Sequence, residues 1–95
     1  MPVYVIAEID VRDAAGFETY RTQVPPFIAK HGGEYLVRGG AVETIEGSWR
    51  PGRMVVLRFP DKAAAKAFLD DPGYKPLADL RQRVAPTDMI LVDGL

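Results

Sequence analysis

The 95-residue chain contains no cysteine, one histidine and one tryptophan, and almost no net charge, with 12 Lys+Arg against 13 Asp+Glu. Without cysteine there is no disulfide framework, no thiolate metal site and no cysteine nucleophile. A lone histidine has no second soft ligand beside it, so neither a metal centre nor haem is expected, and no other cofactor is. Balanced charge without a run of Lys or Arg lacks the electrostatic footprint of a nucleic-acid binder. The phosphate-cradling patterns GxGxxG and GxxxxGK[ST] are both missing. No apolar run approaches the roughly 18–20 residues that span a bilayer, so no membrane partner is expected. The first ten residues carry Glu8 and Asp10 and no basic leader. That pattern is not a secretory signal, and the expected location is the cytoplasm.

What remains is ordinary globular material: 47% hydrophobic and 26% charged residues, enough for one domain over residues 1–95. Residues 3–11 alternate, with Val3, Val5, Ala7, Ile9 and Val11 on one side, which predicts a strand. Asp13 is placed to cap a helix whose apolar stripe runs through Phe17, Tyr20, Val24, Phe27, Ile28 and His31. Pro25-Pro26 predicts a kink or restart near Val24, and Gly32-Gly33 an end. A second strand is expected over 34–38, bent at Gly39-Gly40 and resuming over 41–46, and a third over 53–59. Asp61 caps the next helix, Asp70-Asp71-Pro72-Gly73 breaks it, and a further helix runs from Tyr74 to about Val84. Asp88 to Val92 reads as the last strand.

The order β-α-β-β-α-β, with the second helical segment broken in two, predicts an α+β fold of ferredoxin-like type. Right-handed crossovers put all helices on one face of a four-stranded antiparallel sheet. The opposite face then has a difficulty. Met54-Val55-Val56-Leu57 and Met89-Ile90-Leu91-Val92 are apolar on both sides, and Tyr4 and Ile6 add to the second face of the first strand. Monomers rarely expose contiguous apolar patches beyond a few hundred Å². The expected cover is a second copy, a homodimer packed through the helix-free sheet face.

Six strings, taken in order, resemble one bacterial family: His31-Gly32-Gly33, Leu36-Val37-Arg38-Gly39-Gly40, Glu46-Gly47, Val55-Val56-Leu57-Arg58-Phe59-Pro60, Pro72-Gly73-Tyr74 and Ile90-Leu91-Val92-Asp93-Gly94. The family is domain of unknown function thirteen-thirty, within the dimeric α+β barrel superfamily. Where that family often has Ser-Pro-Glu-Tyr, this chain has Asp71-Pro72-Gly73-Tyr74. The resemblance implies a dimeric barrel and no established reaction. Superfamily relatives include cofactor-independent monooxygenases and isomerase-like proteins, whose chemistry is fold-level analogy only.

The residues able to do chemistry are few, and the sequence leaves open whether the protein is an enzyme. His31 is the only side chain that ordinarily titrates near neutrality, so it is the candidate catalytic acid/base at the mouth of a cavity between helices and sheet. The plainer reading is a hydrogen-bonding cap at a helix C-terminus. Arg38, before Gly39-Gly40, is the leading candidate to hold the carboxylate of a small organic anion; the plainer reading pairs it with an acid such as Glu43 or Glu46, or with one across the dimer. Tyr20, Tyr74 and Arg81 lie on helical faces that should look at the sheet, as further ligand contacts or as core residues. Trp49 reads as an interface or lid anchor, and Glu8 and Asp10 as a solvated strand end. A separate idea rests on Pro2, which would act as general base in the manner of tautomerases beginning with proline if Met1 were removed.

Overall fold

Strict alternation of burial along Val3–Ile9 (β1) puts Val3, Val5, Ala7 and Ile9 against the helices and leaves Tyr4, Ile6 and Glu8 on the other side. The computed structural model describes residues Met1–Leu95. After β1 come Ala14–Gln23 (α1), Pro25–Lys30 (α2), Glu34–Arg38 (β2), Arg53–Phe59 (β3), Lys62–Leu69 (α3), Lys75–Val84 (α4) and Thr87–Asp93 (β4). The sheet order is β2-β3-β1-β4 with every neighbour antiparallel, which is the ferredoxin-like α+β arrangement.

Local chemistry sets the element ends. Asp13 Oδ1 accepts from the Gly16 amide at 3.1 Å and Asp61 Oδ1 from the Ala64 amide at 2.8 Å, each satisfying an orphan donor of a helix start. Pro25 opens α2, where its missing N–H costs nothing, and the direction changes at Val24. Gly32 takes φ +78° and the Gly33 amide returns to the Ile28 carbonyl at 2.9 Å, closing α2. Gly33 is tight for a second reason. A Cβ there would come within 2.8 Å of Phe59 and Ile28, both fully buried.

Two expectations change. The first strand ends at Ile9 instead of Val11, because Asp10, Arg12 and Asp13 donate to the Pro86 and Val84 carbonyls rather than to a strand. Residues 41–46 do not resume the extended ladder; the chain from Gly40 to Gly52 forms no strand. Val42 and Ile45 on this loop stay exposed, although the outer edges of β2 and β4 carry no partner strand. Glu8 is also not merely solvated: its carboxylate accepts from the Gly52 amide at 3.0 Å and pins the return of this loop to β1.

The two faces of the sheet differ as the strand patterns require. Against the helices lie Val5, Val3, Leu57 and Phe59, joined by Phe17, Val24, Ile28, Phe68 and Tyr74 in one core. On the helix-free face, register aligns Val37, Val56, Ile6 and Ile90 in a row crossing all four strands. Ile90 is 60% exposed and Val92 43%. No helix is long and apolar enough to cross a membrane.

Gly33→Ala should lower stability by about 1–3 kcal/mol through forced movement of Phe59. Gly40→Ala, where a Cβ meets nothing, should be close to neutral. Urea denaturation of the two variants side by side measures the difference.

Candidate functional site

Between α1, α4 and the sheet lies a cavity of about 40 Å³, partly open to solvent. Its floor is a row set by register: Arg38 beside Val55, Val55 beside Ala7, Ala7 beside Met89. Arg53 occupies the next inward position of β3 toward its start, paired with Ile9. The roof comes from α1, with Phe17, Tyr20 and Arg21, and from Tyr74 and Arg81 at and within α4. Most of the wall is hydrophobic. The charged lining residues are Arg21, Arg38, Arg53 and Arg81, with no aspartate or glutamate among them.

Arg81 is only 5% exposed and has no carboxylate partner. Its Nη1 donates to the Tyr74 hydroxyl at 2.5 Å and to the Tyr20 hydroxyl at 3.2 Å, and those two hydroxyls stand 3.2 Å apart. Nε of Arg81 is buried without a partner. The two phenols carry two hydrogens; one serves the Tyr20–Tyr74 bond, and the other has no protein acceptor. Burial pushes the Tyr74 phenol well above its ordinary pKa, reinforced by Tyr20 and opposed by Arg81, so it stays a neutral hydroxyl. This corner of the cavity therefore offers hydrogen-bond donors and lacks acceptors.

Toward the opening, Arg53 presents a second buried Nε with no partner, its guanidinium 5.4 Å from the Phe17 ring centre. Gly39, at φ +73°, leaves the space that guanidinium occupies; a Cβ there would overlap it. Arg38 stands 4.6 Å over the Tyr35 ring and pairs with neither Glu43 nor Glu46. Exposed Glu18 is bound by Arg21 at 2.7 Å, and Arg53 also borders a separate surface cleft lined by Glu8, Asp10 and Asp88. Arg21 holds the Glu18 carboxyl below its ordinary pKa, with smaller help from Arg38 and Arg53. Of these three mouth cations only Arg21 is ion-paired.

Of the residues singled out from sequence, Arg38, Tyr20, Tyr74 and Arg81 line this one cavity; His31 does not. His31 caps α2, its Nε2 2.8 Å from Asp71 Oδ2, and its ring lies against Phe68, which separates it from the cavity. Asp71 is nearly buried and also accepts from Lys30 Nζ at 3.0 Å and the Gly73 amide at 2.8 Å. His31 stands at the C-terminal end of α2, where the plainer reading put it, with its ring engaged by Asp71. Pro2 precedes the Val3–Phe59–Asp93 end of the sheet, away from Arg53, with its carbonyl accepting from Gly94. Trp49 is exposed on the Gly40–Gly52 loop, outside the cavity. No group of His, Asp or Glu is arranged to hold a metal.

Arg53 and Arg21 went unnoticed in the sequence. A signal existed for the first: Arg53 shares the odd, inward parity of Val55, Leu57 and Phe59. Arg21 follows Tyr20 and sits four residues after Phe17, and spacing alone does not separate it from a solvated arginine. Nothing in the local pattern around Asp71 points to its pairing with His31 and Lys30.

The His31, Lys30 and Gly73 bonds hold the Asp71 carboxyl far below its ordinary pKa. A depressed carboxylate adds stability that is full above its unfolded value, near pH 4, and is lost as pH falls through the folded one. Asp71→Asn should therefore be less stable than the parent at neutral pH and lose less on acidification below about pH 4. Urea midpoints measured across that range check it; parallel curves would remove Asp71 from the role.

The model for the family described as domain of unknown function (DUF1330) matches residues 2–95. Among solved structures, a protein of unknown function from Rhodopseudomonas palustris superposes with a TM-score of 0.80 at 18% identity, over 99% of this chain and 82% of its own. SnoaB, a cofactor-independent oxygenase from Streptomyces nogalater, gives 0.69 at 20% identity, over 99% and 93%. A dimeric ferredoxin-like protein of unknown function from Jannaschia sp. CCS1 gives 0.68 at 10% identity, over 99% and 100%. No curated protein matches the sequence. At these identities the structural likenesses establish the fold.

Proposed function

The chain belongs to the DUF1330 family, and from that premise we propose that it is a homodimeric protein of one domain that binds a small organic anion between its helices and sheet. The observation that carries this reading is the charge imbalance around the cavity. Four arginines line it without one acid, and two of them bury an unpartnered Nε. A buried cation is costly unless paired and hydrogen-bonded, so such a site favours a ligand that brings negative charge and lone pairs. Arg38 is the leading contact, with Arg81, Tyr20 and Tyr74 receiving the deeper atoms. The apolar wall suits an organic acid better than a bare inorganic ion.

The dimer follows from the helix-free face. The row Val37, Val56, Ile6 and Ile90 is an apolar strip with no helix over it, which a second copy about a twofold axis would bury. The dimeric neighbour of the same fold supports the arrangement.

A second reading is an enzyme of cofactor-independent oxygenase or isomerase type with His31 as acid/base. The likeness to SnoaB favours it; the engagement of His31 by Asp71 behind Phe68 weighs against it. A tautomerase using Pro2 draws no support from the position of that residue.

A thermal-shift screen of small organic acids should find ligands that raise the melting temperature, as any ligand of the native state does. Arg38→Ala should cut the shift of the best acid by roughly half or more; an unchanged shift would exclude Arg38 as a contact. Val56→Lys should convert the dimer to monomer or unfold it, read by sedimentation velocity, and an unaltered dimer would place the interface elsewhere.

A further inference from the structure

We infer that the ligand is a short dicarboxylate, with one carboxylate held at the Arg81–Tyr20–Tyr74 corner and the other at the Arg38–Arg53 mouth. The inference rests on the anion-binding reading above and deepens it.

The donors fall into two separate groups. Inside, both hydrogen bonds of Arg81 leave from Nη1, and its buried Nε is free. The Nε–Nη2 edge of a guanidinium is a fork that takes both oxygens of a carboxylate in parallel. One tyrosine O–H in the same corner also lacks an acceptor. An anion there would complete every open donor. At the mouth, Arg38 and Arg53 have no hydrogen-bonded or ion-paired acid of their own, and Glu18 is engaged by Arg21. A single carboxylate in the inner corner leaves these two cations uncompensated.

Size and polarity argue for two acid groups joined by a short apolar stretch. The enclosed space of about 40 Å³ exceeds what one water needs, which is roughly 10–15 Å³ on this measure, yet falls well short of the roughly 150 Å³ that encloses benzene. It suits a head group, with the remainder of the ligand lying out toward the opening. The surfaces between the two donor groups, Phe17, Ala7 and Val55, are apolar, matching methylenes better than hydroxyls. The outer end of such a molecule arrives where Arg38 is exposed.

Isothermal titration at low ionic strength separates the possibilities, with succinate, glutarate, adipate and pimelate each set against the monocarboxylate of equal length, and inorganic phosphate as a further probe. The best dicarboxylate should bind roughly tenfold or more tighter than its monocarboxylate partner, as expected when a second charge-assisted contact forms. Arg38→Gln and Arg53→Gln should each bring that ratio toward one, because the dicarboxylate loses more affinity than its monocarboxylate partner. Arg38 is exposed, so its variant reports even if Arg53→Gln loses stability. Equal affinity within the pairs, a ratio unmoved by either variant, or tighter binding of phosphate than of every dicarboxylate would overturn the inference. In the first two cases the anion-binding reading survives. Failure of both carboxylate series to bind would overturn that reading as well.

Discussion

A guanidinium buried without a carboxylate is the constraint on which the interior depends. Moving an ion out of water costs several kcal/mol even after relaxation, and Arg81 is offset only by two phenol oxygens and the face of Tyr20. The arrangement ties three segments together: Tyr20 from α1, Tyr74 at the α3–α4 corner and Arg81 from α4. Each of the two hydroxyls accepts from Arg81, and Tyr74 packs its ring 4.2 Å from Phe68. Polar satisfaction and aromatic packing thus position the same side chains. The donor left over is what makes the corner receptive instead of merely filled.

The aromatic and cationic groups form a continuous line. Arg53 sits over Phe17, Phe17 stacks on Tyr20 at 5.9 Å, and Arg81 faces Tyr20. Cations over aromatic faces gain roughly 0.5–2 kcal/mol, more when desolvated. That gain helps hold uncompensated guanidinium groups in place without an acid, and so keeps the cavity electropositive. A carboxylate in the wall would have neutralised the site; Glu18 is exposed and bound to Arg21, and Glu8, Asp10 and Asp88 line a separate cleft.

The outer features are of a different kind. His31, Lys30 and Asp71 fasten the end of α2 to the turn between α3 and α4. This bracket backs Phe68, which in turn walls the cavity. On the far side of the sheet the hydrophobic row across four strands faces no helix, while the Gly40–Gly52 loop leaves Ile45 and Trp49 in the open. Two surfaces of unlike chemistry, an electropositive cavity and an apolar sheet face, are therefore separated by one layer of strands.

Element order, caps and breaks were legible along the chain because they depend on neighbours close in sequence. Asp13 and Asp61 cap through amides three residues on, Pro25 restarts a helix, and alternate residues of β1 necessarily face opposite ways. The two-sided hydrophobicity of β3 and β4 was visible for the same reason. Pairing decided the rest. Residues 41–46 form no strand although both outer sheet edges are free, and a local pattern does not hold that outcome. The candidate site divides along the same line: Tyr20, Tyr74 and Arg81 are legible from the helical faces they occupy, Arg38 from the two glycines that follow it, and Arg53 from strand parity. That Arg81 meets two hydroxyls 61 and 7 residues away, and that the lone histidine finds Asp71 instead of the cavity, follows from helix packing. Periodicity tells a side chain which way to point; only the packed layers determine what it meets there.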